Sequence, residues 1–104
     1  MPVAHEVLPT LPSKERLILD LLVSGGPMYG LQLVASSGGS LRRGTVYVTL
    51  GRMEAKGYLS SEQEAPPPDA IGLPRRVYSP TALGQRVLRA WSQLAQELVW
   101  ETQS

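Results

Sequence analysis

Apolar residues along this chain recur first at helical spacing, then in two short extended runs, then again at helical spacing over a long C-terminal stretch. Leu17, Ile18, Leu21 and Leu22 mark the buried face of a first helix from about Lys14 to Val23, with Ser13 as its expected N-cap. Ser24-Gly25-Gly26-Pro27 ends it and turns the chain. Leu31, Leu33 and Val34 predict a second helix from about Tyr29 to Ser36, followed by the turn Ser37-Gly38-Gly39-Ser40. Val46, Leu50 and Met53 repeat along a third, from Gly44 to about Lys56, which Gly57 stops. Tyr58 to Glu62 and Arg76 to Ser79 read as the two strands of a hairpin, rich in β-branched and aromatic residues at its second strand. Between them, Glu64 to Pro74 contains consecutive prolines, which remove backbone donors and favour an extended, solvated course. That segment is expected as a long loop at the hairpin tip.

Pro80-Thr81-Ala82 opens the final helix, which is expected to reach about Glu101. Leu83, Val87, Trp91, Leu94 and Leu98 alternate four- and three-residue steps, the spacing of a packing seam, and Leu88, Ala95 and Val99 widen it on one flank. At about 1.5 Å per residue this helix is roughly 30 Å long, more than the small domain before it can cover. The pattern predicts a mainly α fold with a small antiparallel β-hairpin: a winged helix-turn-helix followed by a long C-terminal dimerisation helix. Residues 1–12 are expected as a loose arm, 13–79 as the winged helix-turn-helix and 80–104 as the dimerisation helix.

Candidate chemistry concentrates on the third helix. With its apolar stripe turned inward, Arg42, Arg43, Thr45, Thr49, Arg52 and Lys56 form a basic, hydroxyl-bearing remainder. A helix that buries one side and offers arginines and hydroxyls on the other suits the major groove of DNA. Thr45, Thr49 and Arg52 are the candidates for base edges, because Arg pairs bidentately with guanine and Thr meets a base edge or a thymine methyl. Arg42, Arg43, Tyr29 and Tyr47 are candidates for phosphates, although either tyrosine also suits a core position with its hydroxyl at the rim. Arg75 and Arg76, at the base of the hairpin loop, suit neighbouring phosphates. The bland alternatives are a solvated helix face for the first group and ion pairs with Glu62 or Glu64 for the last.

Bulk properties narrow the classes. At 104 residues there is room for one domain with a modest core, and 42% hydrophobic with 18% charged residues argues against global disorder. The chain has no Cys, which excludes disulfides, a thiolate nucleophile and Cys-based metal sites, and fits a cytoplasmic location. The N-terminus lacks a basic segment followed by an apolar run, and the apolar patch from Leu17 to Val23 is too short for a membrane span. The lone histidine, His5, lies in the arm without a ligand set, and no Ser–His–acid arrangement is credible, so no enzyme, cofactor or metal is expected. Net charge is only +1. From Arg42 to Arg76 there are six basic residues (Arg42, Arg43, Arg52, Lys56, Arg75, Arg76) against four acidic (Glu54, Glu62, Glu64, Asp69), so any electrostatic footprint is local.

Several motifs in unbroken order resemble one family. Met28-Tyr29-Gly30-Leu31-Gln32-Leu33, Gly44-Thr45-Val46-Tyr47, Leu50-Gly51-Arg52-Met53-Glu54-Ala55-Lys56-Gly57-Tyr58-Leu59 and Pro74-Arg75-Arg76-Val77-Tyr78-Ser79-Pro80-Thr81-Ala82-Leu83-Gly84 are similar to the PadR family of transcriptional regulators, over about Leu17 to Gly84. The short C-terminal part resembles its smaller subfamily, which ends in a single helix. Val46 and Met53 stand where the family has Leu. Arg42-Arg43 replaces a frequent Ser-Pro, and Val48 a frequent Pro. The resemblance implies a homodimeric, usually repressing regulator that binds a pseudo-palindromic DNA site. It implies pairing through Leu83, Val87, Trp91, Leu94 and Leu98. Some family members stack planar aromatic compounds between tryptophans of the two subunits, and the Trp91-Ser92 context is similar, so Trp91 is a candidate contact for a releasing ligand; interface packing is the plainer role for Trp91 and Trp100. The rival reading is a winged-helix module that binds protein without specific DNA binding, which the small net charge suits.

Overall fold

The computed structural model describes residues 9–65 and 75–103, with residues 99–103 by their backbone course only. The first eight residues with His5, the loop tip at 66–74 and the Trp100 side chain lie outside the described residues. Elements follow in the order α1 (Ser13–Gly25), β1 (Met28–Tyr29), α2 (Gly30–Ser36), α3 (Val46–Ala55), β2 (Leu59–Glu64), β3 (Arg75–Pro80) and α4 (Ala82–Gln103). The three strands form one antiparallel sheet in the order β1-β3-β2. β2 and β3 pair from Leu59↔Pro80 to Glu64↔Arg75, and β1 adds Met28↔Tyr78 and Tyr29↔Val77.

The expected two-stranded hairpin is therefore a three-stranded sheet. A two-residue strand carries no periodicity of its own; it forms because the outer edge of β3 has backbone groups to satisfy. The expected Ser13 cap is also displaced. Pro12 holds the N-cap position with φ −57° and ψ 155° and makes no side-chain cap, and its carbonyl accepts from the Arg16 N–H at 2.9 Å. Ser13 is the first helical residue. Helix α3 begins at Val46 rather than Gly44, with Thr45 at the N-cap.

Ile18, Leu19 and Leu22 of α1, Leu33 of α2, and Val46, Leu50 and Met53 of α3 make the fully enclosed centre of the core. Tyr58, Leu59 and Tyr78 cover it from the sheet, and Val87 and Leu88 from α4. Complete burial of an aliphatic side chain contributes about 1.5–3 kcal/mol, so this cluster fixes how α3 sits on α1. Leu19 joins the core where Leu17 and Leu21 are only partly buried, and Leu31 of α2 faces out.

Two connections orient the elements around α3. Its C-terminus closes with Gly57 N–H donating to the Glu54 carbonyl and Tyr58 N–H donating to the Met53 carbonyl, both at 2.9 Å. That Schellman pattern needs the left-handed φ of 82° at Gly57, which glycine adopts without a Cβ penalty. Thr81 then joins α4 to this corner: its hydroxyl donates to the Gly57 carbonyl at 2.6 Å and accepts from Gly84 N–H at 3.0 Å, capping α4. The molecule is elongated, at 58 × 28 × 22 Å.

Candidate nucleic-acid interface

Burial of Val46, Leu50 and Met53 turns the opposite side of α3 to solvent. On it Thr45, Val48 and Arg52 are exposed and Thr49 is half-buried. The Thr49 hydroxyl lies 3.5 Å from the Thr45 carbonyl, too long to hold it firmly away from an outside partner. Arg42 and Arg43 are exposed in the turn before the helix, whose first backbone bond runs from Val46 N–H to the Arg42 carbonyl at 2.9 Å. That turn is set by Ser37: its hydroxyl donates to the Val34 carbonyl at 2.8 Å and accepts from Leu41 N–H at 3.0 Å.

Tyr47 is half-exposed and packs in the way expected of its ring. A Cβ added at Gly30 would lie 2.6–2.8 Å from the tip of the Tyr47 ring, so the phenol rests on the bare backbone at the start of α2. Gly30 at the start of α2 and Tyr47 in α3 thus form one contact, with the hydroxyl at the rim.

The wing is tied down on both strands. Tyr29 donates its hydroxyl to Glu64 at 2.5 Å, and the Arg75 guanidinium stacks over its ring, 4.9 Å from the centroid. The hydrogen bond to Glu64, then desolvation, hold the Tyr29 phenol above its ordinary pKa of 10.0, with Arg75 opposing. Arg76 donates to the Ser61 hydroxyl at 3.0 Å, and Ser61 donates to Glu54 of α3 at 2.6 Å. The Glu54 carboxylate thereby anchors Arg76 through one hydroxyl. Burial, and then the Glu54 charge, raise the Tyr78 phenol above the same ordinary value.

These side chains surround an open groove of about 750 Å³ between α2, α3 and β3, lined by Tyr29, Leu31, Gln32, Tyr47, Arg75, Arg76 and Tyr78 among others. It brings together Tyr29, Tyr47, Arg75 and Arg76. Arg42, Arg43, Thr45, Thr49 and Arg52 lie outside its lining, along α3 and the turn ahead of it.

Lys56 departs from the basic face assigned to it. Its ammonium reaches back to α1 and meets both Glu15 carboxylate oxygens, at 2.9 and 3.0 Å. Glu15 is 2% exposed and Lys56 29%. The signal was in the spacing: Glu15, Ile18, Leu19 and Leu22 share the inward face of α1, and a carboxylate there requires a cation. Glu54 and Ser61, which position Arg76, had no comparable signal because they are brought together only by the sheet register, whereas Glu64, expected as an ion-pair partner of the wing arginines, accepts from Tyr29, over whose ring Arg75 stacks.

The seam expected on α4 divides. Val87, at 3% exposure, belongs to the core of its own domain, a correction to its placement on an intersubunit surface. Trp91 packs partly against that core, and its indole N–H donates to the Pro9 carbonyl at 2.7 Å. The Tyr58 hydroxyl holds the Thr10 carbonyl at 3.0 Å, so the end of the arm is strapped beside α4. Leu83 and Leu98 are exposed and Leu94 is half-buried. Among the described residues there is no group of three or more potential metal ligands, and no helix is long and apolar enough to cross a membrane.

Residues 18–90 match the model of a family described as transcriptional regulator PadR-like. Among solved structures, the chain is similar to a PadR family transcriptional regulator from Eggerthella lenta DSM 2243, with 29% identity and a TM-score of 0.67 over 86% of this chain and 80% of that one. A PadR-like transcription factor from Bacteroides fragilis is 25% identical, with a TM-score of 0.71 over 86% of each chain. Bacillus subtilis PadR in complex with operator DNA shares the fold, with a TM-score of 0.68 and 15% identity over 91% of this chain and 62% of that one. No curated protein matches the chain.

Proposed function

The chain belongs to the PadR-like family of transcriptional regulators, and from that premise we propose that it is a cytoplasmic repressor that reads a pseudo-palindromic operator as a homodimer. One observation carries this reading: the outward side of α3 is unobstructed and holds Thr45 and Arg52, with Arg42 and Arg43 at its leading end. In this reading α3 enters the major groove, where Thr45, Thr49 and Arg52 meet base edges, each good pair giving about 1–3 kcal/mol of discrimination. Arg42, Arg43, Tyr29, Tyr47, Arg75 and Arg76 hold phosphates on either side. The groove between α3 and the wing, with two guanidiniums and two phenols at its rim, supports a path for one strand of the backbone. A family relative by fold, Bacillus subtilis PadR, is described as bound to operator DNA.

Two copies pair through α4, in the part of the seam left by the domain's own core: Leu83, Leu94 and Leu98, with Trp91 at its border. Two reading helices then address major grooves about 34 Å apart. A planar aromatic effector would stack on the face of Trp91, whose indole edge is held by the Pro9 carbonyl, and shift the spacing of the heads. Such coupling needs unequal affinity for two dimer shapes.

The test is fluorescence anisotropy of the full chain on labelled duplex from upstream of its own gene, against a shuffled duplex, across a salt series. The expected result is strong preference for the native duplex, a log–log salt slope of about 0.9 per phosphate neutralised, and relaxed preference in Arg52→Ala. Weak, equal binding to both, with no site emerging from a genome-wide DNA selection, would replace this reading with a protein-binding winged helix.

A further inference from the structure

Val48 does not behave like the other large aliphatic residues of α3. Val46, Leu50 and Met53 are buried, whereas Val48 is 61% exposed. It sits three residues after Thr45 and four before Arg52, so all three share the outward face of the helix. A solvated β-branched residue there gains no burial and has a lower helix propensity than alanine.

Gly51 adds an independent observation on the same face. It lies inside α3, is exposed, and a Cβ built on it would meet no atom within 4 Å. Its φ is not in the left-handed region. Glycine destabilises a helix interior relative to alanine, and neither backbone angle nor packing within this chain calls for it. A glycine there leaves the helix backbone open to close approach by an outside body. The surrounding exposed groups are Arg42, Arg43, Thr45 and Arg52, which suit a polyanion, yet the surface between them is apolar. In the major groove, the one apolar group a base pair presents is the C5-methyl of thymine.

We infer that Val48 is a specificity-determining residue that packs against a thymine methyl, with Gly51 admitting the base edge close to the helix backbone. This rests on the DNA-reading function proposed above and assigns part of its operator chemistry.

The experiment uses the full chain and a duplex enriched from a random pool by the wild-type protein. Each thymine is replaced in turn by deoxyuridine, which removes only the methyl. One thymine in each half-site is expected to show a rise in Kd of about fourfold, the effect of losing one buried methyl-sized group. Val48→Ala should bind the thymine duplex more weakly and lose that sensitivity at the same position. Gly51→Ala should melt at a higher temperature and still bind several-fold more weakly. Indifference of the wild type to every methyl, an unchanged deoxyuridine penalty in Val48→Ala, or full-strength binding by Gly51→Ala would overturn the assignment. A wild-type protein that enriches no duplex would instead remove the DNA-reading function, and this assignment with it.

Discussion

Lys56 and Glu15 show how one residue's surroundings decide its role. By position in the chain Lys56 extends the basic run of α3; in space it neutralises a carboxylate enclosed beneath α1. An exposed pair of this kind contributes little, typically below about 1 kcal/mol. Removing one partner of a buried pair is different, because the remaining charge is left without compensation, at about 3–5 kcal/mol. Lys56 retains some solvent contact, which places the expected loss for Lys56→Met near the lower end, about 3 kcal/mol in urea unfolding. Adding Glu15→Gln should recover much of that loss, since a neutral amide demands less. Equal destabilisation by the single and double variants would show that packing of the lysine stem, not charge, holds this contact. DNA binding by Lys56→Met below its melting temperature should be preserved, as Lys56 is turned away from the outward face.

At the level of elements, what was legible in the sequence and what was not separates by how local the cause is. Helix α3 was readable because Val46, Leu50 and Met53 repeat at its own period and Gly57 supplies the stop. Strand β1 was not, since Met28 and Tyr29 become a strand only through the edge of β3. The candidate site divides in the same way. Arg52 and the N-cap Thr45 emerge outward as helical phase demands, with Arg42 and Arg43 in the turn ahead of them, whereas the Ser61 and Glu54 partners of Arg76 depend on sheet register that no local pattern encodes. The wing itself gives a test. Tyr29 bridges β1 to β2 through Glu64, and this bond is the first cause of its raised pKa. A raised phenol pKa means that the folded form holds its proton more tightly than the unfolded form. The bridge therefore contributes fully below about pH 10 and is lost as pH rises through the higher folded value. In Glu64→Gln, phenolate absorbance should show one tyrosine titrating at lower pH than in the wild type. A superimposable titration curve would mean that Glu64 does not hold the Tyr29 hydroxyl in solution.

The whole molecule poses a question of reach. Helix α4 has 22 residues, about 33 Å at the helical rise. Its N-terminal half is accounted for by Val87, Leu88 and Trp91, which cover the core and strap the arm. Its C-terminal half carries Leu94 and Leu98, the latter 55% exposed, and in the dimer proposed above these residues bring a second reading head to the next turn of DNA. Replacing both with Asp should give monomers by light scattering at concentrations where the wild type is dimeric. The winged-helix core should melt nearly unchanged, because neither residue belongs to it. Linked heads bind more tightly than single ones by about 10²–10⁴ through effective concentration alone, so a loss of that order on the full site is expected. The salt slope separates causes: a sound single head makes half the phosphate contacts, and each is worth about 0.9 in slope, so the monomer's slope should be half the dimer's. A slope reduced further would indicate damage within the head. A variant that remains dimeric and binds tightly would move the pairing surface away from the end of α4.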